Sequence, residues 1–129
     1  HMTKEAFFHW VEQEFGVKPD YPWEERNAVL RHGDSRKWFA LVLEVERCKL
    51  GLEGQGKVEV LNVKGDPRII GSLKGQPGYF PAYHMNKEQW LSILLDGPVG
   101  EGQIQELLRM SFDLTRGKAR VSPPKRSIL

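Results

Sequence analysis

Apolar side chains recur along this chain with two different periods, and the switch between them marks out the elements. Phe7, Phe8, Val11 and Phe15 fall on one face at helical spacing, with Trp10 at the edge. Thr3 stands where an N-cap is wanted, and Gly16 where a left-handed C-terminal residue is wanted. A first helix is therefore expected, followed by a loop over 18–25. In that loop Tyr21, Pro22 and Trp23 are expected to lay aromatic area over the end of the core.

Period two then takes over. Asn27 to His32 reads as a short strand, and Gly33-Asp34-Ser35 as a hairpin turn. Arg36 to Val45 is the strongest strand; Trp38 to Leu43 is apolar on both alternating faces, as in a central strand covered on both sides. Arg47 to Gly56 is a glycine-rich hairpin loop. In Lys57 to Val63 the residues Val58, Val60 and Asn62 face one way, and Glu59, Leu61 and Val63 the other.

Gly65-Asp66-Pro67 marks a helix start. Asp66 can cap, and proline suits the first helical position because its missing N–H would be unpaired anyway. Ile69, Ile70 and Leu73 form the expected buried stripe, and Gly75 ends that helix. Tyr79 to His84 reads as extended, Asn86 to Gln89 as a tight turn and Trp90 to Leu95 as the last strand. From Glu101 to Arg116 a second amphipathic helix puts Ile104, Leu107, Leu108, Ser111 and Leu114 on one face, closed by Gly117. The order predicts an α+β fold: an antiparallel sheet with N- and C-terminal helices packed on one face and one short inserted helix.

At 129 residues the chain fits one domain, expected over 3–116, with His1-Met2 read as a cloning scar and 117–129 as a basic flexible tail. The single cysteine, Cys48, cannot form an internal disulfide, which suits a reducing compartment; a cytoplasmic location is expected. No apolar run approaches the ~20 residues that span a bilayer, and no membrane association or secretory leader is expected. The net charge of +2 hides an asymmetry. Residues 116–129 carry Arg116, Lys118, Arg120, Lys125 and Arg126 and no acid, which leaves −3 for residues 1–115. The body is thus not a basic domain, although a basic tail can add phosphate contacts that carry no base-sequence information.

The candidate chemistry concentrates in Tyr83-His84-Met85-Asn86-Lys87-Glu88-Gln89-Trp90. Lys87 suits phosphate or carboxylate, His84 and Asn86 can hydrogen-bond a ligand, and Trp90 can stack on one. Indole beside lysine or arginine is the combination used for single-stranded nucleic acid. Against this stands a purely structural turn, with Asn86 capping it, His84 donating to a backbone carbonyl and Trp90 in the core. In the first hairpin Arg31, Arg36 and Lys37 either meet phosphates or are solvated strand ends. Lys64 flanks the short helix. Glu24-Glu25 reads as surface charge. His9, His32 and His84 lie on different elements without metal-ligand spacing. Cys48 has no base or orienting group in view. No cofactor, metal or catalytic residue is expected.

Asn62-Val63-Lys64, Gly65-Asp66-Pro67, a short helix, Pro-Gly, then Tyr83-His84-Met85-Asn86-Lys87-x-x-Trp90, Leu95-Asp96-Gly97 and a closing helix resemble the MmcQ/YjbR family over about residues 5–115. The resemblance implies a frataxin-like α+β fold in a small bacterial protein. It also implies a "double-wing" DNA-binding label that rests on fold analogy. The chain departs from the family's Arg-Pro ahead of Tyr-His: here Gly78 to Tyr83 contains no arginine, so any phosphate contact from that arginine is lost. The first helix has Glu5, Glu12 and Glu14 but also Lys4, and no dense acidic ridge, so iron chemistry is not carried over. The expectation is a non-enzymatic protein binding DNA through phosphate contacts. Its surface would comprise Arg36, Lys37, Lys64, His84, Asn86, Lys87 and Trp90. The alternative is a module that binds a protein or a small anionic ligand along Tyr79 to Trp90.

Overall fold

The computed structural model describes residues 2–23 and 26–116. Its elements are α1 (Lys4–Phe15), β1 (Ala28–Arg31), β2 (Trp38–Glu46), a 3-10 turn (Arg47–Leu50), β3 (Lys57–Lys64), α2 (Pro67–Leu73), β4 (Tyr79–Pro81), β5 (Trp90–Leu94) and α3 (Glu101–Leu114). The five strands make one antiparallel sheet in the order β1-β2-β3-β5-β4. The expected α+β architecture is the one observed. The helix ends carry the expected caps. Thr3 Oγ1 accepts from the Ala6 N–H, Gly16 takes φ +68°, and Asp66 Oδ1 accepts from the Arg68 N–H beside Pro67.

Strand alternation divides the buried side chains between two faces. All three helices pack on one of them. Phe7 and Val11 of α1, Ile70 of α2 and Ile104, Leu107 and Leu108 of α3 join Leu30, Val42, Leu61, Val63, Leu91 and Ile93 of the sheet. The Lys4–Glu59 pair, 3.1 Å apart, fastens the start of α1 to β3 and raises the lysine pKa, mainly through the hydrogen bond to Glu59. Among the described residues the opposite face carries no α-helix. There Val29, Leu41, Leu43, Val45 and Val60 are covered by Leu50 of the 3-10 turn and by Trp38, Tyr83, Met85, Trp90 and Leu94.

The β1–β2 ladder is irregular. Leu30 pairs with Ala40 but Arg31 with Trp38, so Phe39 is an extra residue, a β-bulge. The bulge turns Phe39 to the helix side, where its ring meets Phe15 and Phe112, and leaves Trp38 on the opposite face. Ser111 of α3 locks this arrangement: its hydroxyl donates to the Phe39 carbonyl at 2.5 Å and accepts from the Lys64 N–H at 2.8 Å. His32, just past β1, is 3% exposed between Phe39 and Phe112, with Nε2 2.8 Å from Thr115 Oγ1. Asp20 bridges to Val29 along the outer edge of β1, and the other edge strand, β4, is three residues long and ends in Pro81.

Several sequence expectations need correction. In α2 only Ile70 is buried; Ile69 is exposed and Leu73 half-buried, because seven residues present little more than one side chain to the core. Leu114 is 48% exposed, because Ser111 and Thr115 take the inward positions at the end of α3. Tyr21 and Trp23 do not cap the core; they are 42% and 55% exposed. Met2, set apart from the domain on sequence grounds, is buried in the helix-side core. Glu24, Glu25, Gly117 and the basic segment after it lie outside the described residues.

Candidate functional site

The chain leaves β4 at Pro81, buries Ala82, and crosses onto the face opposite the three helices. Three hydrogen bonds hold it there. Asn62 and Ser92 are opposite one another on β3 and β5, both fully buried. The Ser92 hydroxyl donates to Asn62 Oδ1 at 2.5 Å and accepts from the Tyr83 N–H at 3.0 Å, while Asn62 Nδ2 donates to the Tyr83 carbonyl at 3.0 Å. This closed ring satisfies two buried polar side chains and the backbone groups of Tyr83 together.

From that anchor the next residue, His84, enters the left-handed region at φ +61°, exposed, with its ring 4.0 Å from that of Tyr83. Met85 turns back onto the sheet. Asn86 then organises the turn: its Oδ1 accepts from the N–H groups of Glu88 and Gln89 at 2.8 and 3.2 Å. The structural reading therefore describes Asn86. It does not describe His84, whose side chain is turned to solvent. Trp90 is half-buried against this face rather than in the main core.

Beside His84 lies a hollow of about 290 Å³, lined by Trp23, Asn27, Trp38, Leu41, Leu43, Tyr83, His84 and Met85. Trp23 stands edge-on to Trp38 with ring centroids 5.5 Å apart. The Arg31 guanidinium lies 5.6 Å from the Trp38 centroid and is held by Asp20 at 3.0 Å. A second hollow, of about 360 Å³, shares Tyr83 as a wall and is completed by Lys49, Leu50, Phe80, Pro81, Ala82 and Lys87.

The sequence-nominated residues do not form one patch. His84 lines the aromatic hollow and Lys87 its neighbour. Lys64 and Trp90 are cross-strand partners at the adjoining end of β3 and β5. Arg36, at φ +65° on the hairpin tip, lines a separate hollow with Gly16, Lys18, Asp20 and Arg31; Lys37 is exposed on the same hairpin. The sequence does not nominate Trp23, Trp38 or Lys49, which line the two hollows. The bulge that redirects Trp38 is set by tertiary packing, and nothing in the spacing of Lys49 shows that its loop folds back over the sheet. Among the described residues no three metal-ligating side chains converge, and no helix is long and apolar enough to cross a membrane.

An antiparallel sheet with its three described α-helices on one face, and a loop-lined aromatic surface on the other, is the class these features define. The YjbR family model matches residues 14–114, and the chain belongs to that family. The uncharacterized protein YyaQ of Bacillus subtilis (strain 168) is 42% identical over 117 residues, covering 89% of this chain and 99% of YyaQ. A crystal structure of a Pseudomonas syringae protein matches with a TM-score of 0.85 at 43% identity, over 89% of this chain and 100% of that one. The Deinococcus radiodurans protein DR2400 shares the fold, with a TM-score of 0.68 at 24% identity over 92% of this chain and 81% of that one.

Proposed function

We propose that this protein is a non-catalytic binding module that engages single-stranded nucleic acid on the face of its sheet opposite α1, α2 and α3. The observation that carries the reading is the aromatic hollow, where the half-exposed Trp23 stands against Trp38 beside Tyr83 and the solvent-facing His84. Partly exposed rings around a concavity offer stacking surface to unpaired bases, at about 1–3 kcal/mol per base. A duplex keeps its base faces covered and would leave these rings unused. Lys64 and Lys87 border this face and Arg36 and Lys37 project from the adjacent hairpin, all suited to phosphate contacts that respond to salt. An enzymatic reading has little support because the hollow sets only the Tyr83 phenol beside His84, with no carboxylate, amine, thiol or aliphatic hydroxyl in its lining.

The test is a fluorescence-anisotropy titration of labelled oligothymidylate and of a duplex at about 50 and 200 mM salt. The expected result is preferential, salt-sensitive binding of the single strand, weakened about tenfold by Trp23→Ala. No binding at low salt, or binding indifferent to Trp23, refutes the proposal. A small flat anionic ligand is a second reading, favoured by the size of the hollow, close to the lower end for small-molecule sites. It would show as a thermal shift with free nucleotides and no length dependence among oligonucleotides.

A further inference from the structure

We infer that the hollow between Lys49 and Lys87 receives a terminal phosphate, so that the bound strand is recognised by its phosphorylated end. The inference rests on the single-strand reading and gives it a polarity. Lys49 comes from the 3-10 turn between β2 and β3, and Lys87 from the turn before β5. These segments are far apart in sequence. They meet because Leu50 folds back onto the sheet face that Tyr83 and Met85 also cover. The lining is two ammonium groups, two half-buried rings (Phe80 and Tyr83) and apolar Leu50, Pro81 and Ala82, with no carboxylate among them.

Charge complementarity selects the occupant. A phosphate monoester carries about −1.5 to −2 at neutral pH, whereas a phosphodiester within a strand carries one negative charge. Two lysines with no acid in the same lining match the first better than the second. The shared wall sets the geometry. Tyr83 separates this hollow from the Trp23–Trp38 hollow, so a terminal phosphate between the lysines would leave the first base beside Phe80 or Tyr83 and the following base toward Trp38. The lysines act as point charges on flexible stems and need no fixed fork to do this.

The experiment compares oligothymidylates with and without a 5′- or 3′-phosphate, titrated against the full chain, Lys49→Ala, Lys87→Ala and the double variant. Wild type should prefer one phosphorylated end by roughly fivefold, as expected for two solvent-exposed charge contacts. Each single variant should reduce that preference and the double variant abolish it; the readout is the ratio of affinities for phosphorylated and unphosphorylated strands, because Lys87 also serves the strand's internal phosphates. Equal affinity for all ends, or a preference that survives the double substitution, overturns the inference. If strands bind in a Trp23-dependent way without regard to their ends, this inference alone fails. If no strand binds but thymidine monophosphate does, dependent on both lysines, the phosphate site stands and the single-strand reading falls. All three variants alter only exposed side chains, and unchanged circular dichroism will verify that they fold.

Discussion

Removing the Ser92 hydroxyl should both loosen the domain and unfasten its candidate site. In Ser92→Ala the Asn62 Oδ1 loses the donor 2.5 Å away, and the Tyr83 N–H loses its acceptor. A buried polar group without a partner costs about 1–3 kcal/mol. Asn62 is fully buried and takes the upper part of that range; Tyr83 is half-buried, water can reach its N–H, and it takes the lower part. The expected total is about 2–4 kcal/mol, a large share of the roughly 5–15 kcal/mol typical of a domain. With a urea slope of about 1.5 kcal/mol/M, the unfolding midpoint followed by circular dichroism should fall by about 1.3–2.7 M. Asn62→Ala should cost a similar amount, because it strands the serine donor and the Tyr83 carbonyl. The double variant should cost clearly less than the two together, with a coupling of about 1 kcal/mol or more, since removing both partners leaves fewer orphaned groups. Single losses under about 0.5 kcal/mol, or simple additivity, would refute the closed ring.

Other outcomes follow from single features. Burial lowers the His32 pKa, partly countered by Asp34 and reinforced by Arg116 and Lys37. The unfolded chain therefore binds the extra proton first, and stability should fall as pH drops below about 6.5; urea midpoints at two pH values should show a smaller slope in His32→Gln. His84 sits at φ +61°, a region that disfavours residues with a Cβ. His84→Gly should hold or raise stability by up to about 1 kcal/mol while weakening oligonucleotide binding, and a lowered urea midpoint would contradict this. A Cβ on Gly78, at φ +86°, would lie 2.8 Å from Val99 Cγ2, so Gly78→Ala should cost about 2 kcal/mol or more. Gly71→Ala, in the open on α2, should instead gain up to about 1 kcal/mol. Thermal unfolding of the two alanine variants should separate them in opposite directions from wild type.

Where local chemistry decides an element, the sequence was a sufficient guide. Thr3, Gly16, Asp66 and Pro67 mark helix ends through groups within a few residues of themselves, and the alternation of β3 assigns Leu61 and Val63 to one face and Val60 to the other. Where distant segments decide, it was not. Phe39 and Trp38 obey a strict alternation on paper; the bulge that breaks it is held by Ser111, 72 positions away. Asn62 was expected on one strand face, but its role depends on Ser92 and Tyr83, which only the sheet brings together. The candidate site was half legible for the same reason. His84 and Lys87 stood out as clustered polar groups, whereas Trp23, Trp38 and Lys49 acquire their positions from the loops that cross the sheet.

The two flanks of the sheet limit how this molecule can associate. A strand from another chain needs a run of unpaired amides and carbonyls to zip onto. Asp20 occupies that position alongside Val29, and at the other side the run is only three residues long and closes with an imino acid that has no hydrogen to donate. Among the described residues these flanks therefore offer no ready template for growth into a continuous ribbon, which favours a broadside approach to the sheet.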